Sequence, residues 1–133
     1  MKFSLSIKDM IEVHDQIIDE FGGDRGIVSE SSLHYIIEHA TKNKYNEDFF
    51  TLLTKILRSI TIDHPFVDGN KRTGLVIVES VLQENDMILD MSEKEKEDFI
   101  LNVAKLKLSE EDIKKILKEN TSDYWKFNQK SRY

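Results

Sequence analysis

Between residues 64 and 74 the chain reads HPFVDGNKRTG. From His64 to Arg72 an imidazole, a carboxylate, an amide, an ammonium and a guanidinium fall within one short stretch. Strongly apolar segments flank it, LLTKILRSITI before and LVIVESVL after. A helix start presents unpaired backbone N–H groups and the positive end of the helix dipole, and both favour an anion. Lys71 and Arg72 stand at the start of the helix that the second apolar segment predicts, where cations oppose the dipole. An anion bound there removes the conflict. Phosphate suits it, because a guanidinium fork matches its oxygens. Gly69 permits a tight turn or a close backbone approach to a ligand. Asp68 would repel a phosphate unless a hard cation joins the two, and Mg²⁺ typically uses one or two carboxylates with phosphate oxygens and water. His64 can accept a proton near neutral pH. A base, a cation ligand and a phosphate cradle are the parts that phosphoryl or nucleotidyl transfer needs. Taken singly, each residue also has a structural use: Asp68-Gly69 is a common turn, Asn70 a good N-cap, His64 and Phe66 packing residues. A purely structural turn has no need of His64, Lys71 and Arg72 together.

The elements around the cluster must hold it in place. One Pro and five Gly leave few breakers, and the apolar spacing follows the helical period. A first helix runs from Ser6 to Phe21, with Ile7, Met10, Ile11, His14, Ile17, Ile18 and Phe21 on one side. Ser6 and Asp9 cap its start, and Gly22-Gly23 stop it. DRGIV is a loop. A second helix runs from Ser29 or Ser31 to about Thr41. A third is capped by Asn46, buries Phe49, Phe50, Leu52, Leu53, Ile56, Leu57 and Ile60, and is closed by Pro65. A fourth starts near Asn70, runs to about Asn85 and is apolar almost all round, which predicts the central helix. DMILDM is extended or irregular. Ser92 with Glu95, and Ser109 with Asp112, cap a fifth and a sixth helix. The expectation is an all-α domain over residues 1–120 with an aromatic, mildly basic tail over 121–133. His14 reads as a core histidine. His34 and His39, five apart, make a poor helical metal pair.

Composition narrows the function. A chain of 133 residues suggests one domain, able to bury roughly two-thirds of its unfolded surface. It has no Cys, which excludes a disulfide scaffold and a thiolate metal site. The net charge of −6 argues against general nucleic-acid binding. Local positive charge at residues 71–72 on an acidic protein points instead to a small anionic ligand. No apolar run approaches the roughly 20 residues of a membrane span, and no stretch near residue 1 combines basic residues with a long apolar core. A cytoplasmic protein without membrane partners is expected.

HPFVDGNKR resembles the signature of the Fic/Doc superfamily, H-x-F-x-D/E-G-N-G/K-R. The variant with Lys is similar to the death-on-curing (Doc) toxins of toxin–antitoxin modules. HDQIIDEFGGDRGI, the apolar helix after NKRTG, and NVAKLKLSEEDIKKIL are Doc-like in order and spacing, so the likeness covers roughly residues 7–119. It implies an all-helical bundle with the motif loop preceding a central helix. It also implies roles: His64 takes the proton of a target hydroxyl, Asp68 binds Mg²⁺, Gly69, Asn70, Lys71 and Arg72 hold the phosphates of ATP or another nucleotide, and Phe66 anchors the loop in the core. His64, Lys71 and Arg72 are then the catalytic set. AMP-transferring relatives read G-N-G-R-x-x-R, with glycine where Lys71 stands and a second arginine where Leu75 stands. Doc-like proteins share the lysine and act as kinases, with a threonine of elongation factor Tu as a known target. The resemblance therefore implies a kinase-like transferase that modifies Thr or Ser of a translation factor and arrests growth. A protein AMP-transferase and a catalytically idle binding module are the alternatives. SVLQEN, residues 80–85, matches the self-inhibitory string S/T-x-x-x-E-G/N of some Fic proteins. It falls inside the fourth helix, so inhibition is expected from a separate antitoxin protein.

Overall fold

The computed structural model describes residues 1–124. Six helices carry the fold: α1 (Ile7–Phe21), α2 (Glu30–Lys42), α3 (Phe49–Asp63), α4 (Asn70–Glu84), α5 (Glu93–Ala104) and α6 (Glu110–Asn120). Two short strands, β1 (Met87–Leu89) and β2 (Thr121–Asp123), pair antiparallel, with Ile88 opposite Ser122. The fold is all-α, as expected. Residues 121–123, the first of the segment expected to form a tail, are thus paired with β1. Trp125, Phe127, Tyr133, Lys126, Lys130 and Arg132 lie outside the described residues.

Short polar side chains set the helix starts. Ser6 with Asp9, Ser92 with Glu95, and Ser109 with Asp112 each form a reciprocal capping box, which satisfies two otherwise unpaired backbone donors at once. Ser29 caps α2. The α3 cap is Asp48, whose carboxylate accepts from both the N–H and the hydroxyl of Thr51. The sequence pointed to Asn46. That residue instead sits in the preceding turn at φ 50°, where its N–H donates to the Asn43 carbonyl. The Asn43 side chain brackets both backbone groups of Glu47, so the chain stays out of helix until residue 48.

The helices enclose two apolar clusters. One joins α3, α4, β1, α5 and α6 through Leu53, Leu57, Val78, Leu82, Phe99, Ile113 and Leu117. The other joins α1, α2, α3 and α4 through Met10, Leu33, Ile36, Ile56, Ile60 and Ile77, and it includes Phe66. Both contain residues of α3 and α4. The connection between these two helices, residues 64–69, is therefore fixed at both ends by turns with buried residues, Ile60 and Thr61 before it and Asn70 and Thr73 after it. Phe21 departs from its expected place on the buried side of α1: it is 53% exposed, because it lies in the last turn, past the edge of the cluster.

Asp48 also receives the Lys114 ammonium at 2.8 Å, which ties the start of α3 to α6. That ammonium, and after it the Thr51 N–H, hold the Asp48 carboxyl at about 2, below its ordinary value of 3.8. A lowered carboxyl stabilises the fold above its unfolded value, and the contribution fades as pH falls through the folded value. Asp48→Ala should cost about 0.5–2 kcal/mol at neutral pH, the usual range for a lost cap. Denaturant melts of parent and variant should converge as pH is lowered from about 4 towards about 2, with a gap that is constant across this window telling against the assignment.

Candidate active site

The site begins where α3 stops. His64 takes the left-handed conformation at φ 50° and ψ 63°, a region in which His is among the commoner non-glycine residues and one that suits a residue barred from the α region by the following Pro65. Phe66 then turns into the core, 1% exposed. Asn70, at the first turn of α4 and 6% exposed, closes the loop over it. Its Oδ1 accepts the Phe66 N–H at 3.1 Å and its Nδ2 donates to the Phe66 carbonyl at 2.9 Å. These two bonds fix which end of the amide is which. The same Nδ2 lies 3.3 Å from His64 Nδ1 and supports the ring. His64 itself is exposed.

The residues between α1 and α2 form a second wall. Val28 and Ser29 donate to the Pro65 carbonyl, Val67 donates to the Gly26 carbonyl, and Ile27 faces Phe66 in an isolated antiparallel bridge. Arg25 pins this wall to α1 through Asp19 and Asp15. Asp68 is exposed, yet it is held: the Asp24 N–H donates to its Oδ2 at 2.8 Å. Gly23 has φ 119°, and a Cβ there would lie 3.1 Å from the Asp68 Cβ and 3.3 Å from Oδ2. Only glycine fits that approach.

Five of the six helices have a side-chain cap; α4 has none, because its N-cap is Gly69 at φ 78°. No acidic residue lies in its first turn. Lys71 and Arg72 are both exposed there. The Arg72 guanidinium stands 4.1 Å over the Phe21 ring. A ring beneath its face leaves the N–H edges of the guanidinium for an anion. Leu75, one turn later, packs on the core cluster. The uncapped start, the two cations and the Asp68 carboxylate fit a phosphate with a bridging divalent cation. Among the described residues no group of three or more His, Asp or Glu could hold a metal by protein ligands alone.

The family model described as Fic/DOC family matches residues 4–82. The chain belongs to the Fic/DOC family. No curated protein matches it. The matched span takes in α1, both walls of the loop and nearly all of α4, so the Fic/DOC assignment rests on the parts that build this site. Membership places the chain among transferases that use a nucleotide to modify proteins. Among the described residues no helix is long and apolar enough to cross a membrane.

Sequence reasoning placed His64, Phe66, Asp68, Gly69, Asn70, Lys71 and Arg72 in the loop and at the start of the helix after it, and the structure has the first four in the α3–α4 connection and the other three in the first turn of α4. It took Asn70 as a phosphate ligand or a helix cap. The Asn70 amide instead faces the Phe66 backbone and His64, and the cap is Gly69. Three residues from outside the motif that touch Asp68 were missed: Gly23, Asp24 through its N–H, and His14, whose Nε2 lies 2.7 Å from the Asp68 carbonyl. The segment HDQIIDEFGGDRGI contained them, but only a fold could show that it lies against residue 68. Asn70→Ala should cost about 1–3 kcal/mol, because it leaves two buried backbone groups of Phe66 unpaired. Chemical denaturation measures this, and an unchanged midpoint would mean that water or a shifted backbone satisfies those groups.

Proposed function

We propose that this protein is a Doc-like phosphotransferase, moving the γ-phosphoryl group of ATP to a Thr or Ser hydroxyl of a target protein such as elongation factor Tu. The observation that carries the reading is the α4 start: an uncapped helix N-terminus, with Lys71 where AMP-transferring relatives have glycine and Leu75 turned to the core where they have a second arginine. Lys71 fills the space an α-phosphate would need and places a point charge for terminal phosphate oxygens. The first backbone N–H groups of α4 and the edges of Arg72 take the remaining oxygens. Asp68 would hold Mg²⁺, which neutralises charge that builds up during transfer.

In the transfer the hydroxyl oxygen forms the new P–O bond, the bond to the β-phosphate oxygen breaks, ADP leaves, and the hydroxyl proton goes to His64 Nε2. With the Asn70 amide fixed by Phe66, His64 Nδ1 faces an N–H donor, so the resting neutral ring bears its hydrogen on Nε2. Acceptance at Nε2 requires the other tautomer. The Asn70 contact, at 3.3 Å, is the longest in the loop and is the one that gives way.

Regulation is assigned to a separate antitoxin protein. Within SVLQEN, the Ser80 hydroxyl donates to Val76 inside α4, Glu84 accepts from Ser4, and Asn85 bonds the backbone of Lys2. The string is part of a helix and is tied to the first residues of the chain, so it does not reach the loop. The zero Cys count and acidic charge suit a cytoplasmic protein with a protein target.

The test is incubation of the purified protein with a bacterial lysate and ATP labelled separately at the α and γ positions. The γ label should move to one protein, and His64→Ala should slow transfer by about 10²–10⁴ while nucleotide binding persists. Transfer of the α label would establish AMP transfer instead. Neither label moving, with nucleotide still bound, would favour the idle module.

The subtype turns on Lys71. Lys71→Gly should lose γ transfer, because a charge-assisted phosphate contact is removed from the transition state. Lys71→Gly combined with Leu75→Arg should exceed either single change in AMP transfer. An unaltered γ rate in Lys71→Gly would remove Lys71 from the mechanism.

A further inference from the structure

His14 lies in the middle of α1 and is fully buried. Its Nε2 is 2.7 Å from the backbone carbonyl of Asp68. A carbonyl only accepts, so Nε2 carries the hydrogen. The ring stacks on Phe66 with centroids 3.8 Å apart and planes 7° apart. Nδ1 is buried with no hydrogen-bond partner among the described residues. An unpaired buried nitrogen is costly. If the position required only a flat side chain against Phe66, a phenyl ring would fill it without that cost. Packing therefore does not account for a histidine here; the bond to Asp68 does.

Asp68 is in this way gripped from two sides. Its carbonyl is held by α1 through His14, and one carboxylate oxygen, Oδ2, is held by the Asp24 N–H. The next residue is pressed to the same helix: a Cβ on Gly69 would lie 3.2 Å from Ile18 Cδ1 and 3.7 Å from His14 Cδ2. The peptide between Asp68 and Gly69 cannot rotate without breaking the His14 bond, which ties the Asp68 backbone to α1 and with it the Cα from which the carboxylate projects.

We propose that His14 is a positioning residue: as the Nε2–H tautomer it fixes the Asp68 peptide, and so aims the free carboxylate oxygen at the divalent cation. This rests on the reading of Asp68 as the cation ligand. Loss of the bond should therefore weaken the cation and leave the phosphate cradle of α4 untouched. A ligand-orienting partner of this kind typically changes metal affinity by about 10–100-fold.

The experiment uses the full chain and has two readouts besides activity. The first is the ¹⁵N spectrum of the His14 ring at neutral pH. A protonated Nε2 with a bare Nδ1 supports the proposal, and the opposite tautomer overturns it. The second is the affinity for Mn²⁺, followed by electron paramagnetic resonance in the presence of a non-hydrolysable ATP analogue. His14→Phe keeps the stacked ring and removes the donor. His14→Asn places its amide short of the carbonyl. Each should weaken Mn²⁺ binding by about 10-fold or more, with affinity for the analogue in chelator unchanged. His14→Gln, whose amide reaches the Nε2 position, should recover most of the loss. If either donor-free variant folds and binds Mn²⁺ like the parent, the positioning role is overturned and the Asp68 reading survives. If the parent binds Mn²⁺ no better than Asp68→Asn, the Asp68 reading fails and this proposal fails with it.

Discussion

One side-chain amide organises the site. Asn70 bonds the N–H and the carbonyl of Phe66, and reaches His64 with its second hydrogen. A loop that leaves a helix at a proline and re-enters one five residues later has backbone groups that neither helix can pair. At Phe66 those groups are buried, where leaving them unpaired would cost about as much as losing a small apolar side chain from the core. The amide meets both needs from inside α4. Because Phe66 is itself fixed among Met10, Ile60 and Ile77, the amide transmits the position of the core to the ring of His64. The Phe66 side chain and the Asn70 amide work as a single anchor.

The start of α4 shows the opposite choice. Every other helix begins with a serine or aspartate that pairs its first N–H groups, whereas α4 begins with a glycine and two cations. In isolation this is a poor helix start. It is tolerated because the apolar residues of α4 serve both core clusters, so tertiary packing and not capping holds the helix. A helix packed into both clusters can thus leave its N-terminus open.

Much of this was legible in the chain itself. Capping boxes at Ser6, Ser92 and Ser109 and the period of the apolar residues mark four of the helix starts to within about a residue, because both signals are local. The α3 start was not legible: Asn46 and Asp48 are both good caps, and the choice depends on how Asn43 holds Glu47. The motif loop was legible as chemistry, since residue types at fixed offsets state which groups are available. How those groups are oriented was not. Asn70 reads as a cap or a phosphate ligand until Phe66 is known to be buried beneath it. His14 reads as core, which it is, but its contact lies 54 residues away in sequence, and no periodicity reports on a partner at that distance.

That separation has a consequence for when the protein can act. The Asp68 backbone carbonyl is bonded by a ring on α1 and its carboxylate by a backbone N–H from the loop after α1, while the helices on either side of the motif loop also pack on each other and on α5 and α6. Local helix formation is fast, but joining segments this far apart must overcome chain entropy first. During synthesis α1 emerges early and can pack on α2 and α3, but it can hold Asp68 only after residues 64–84 have followed. These contacts to Asp68 therefore form only through a long-range closure between residues 14–24 and residue 68, and no contact local to the motif replaces them. The orientation of the Asp68 carboxylate is thus a property of the whole fold of α1 on α4, and no peptide of the motif alone could reproduce it.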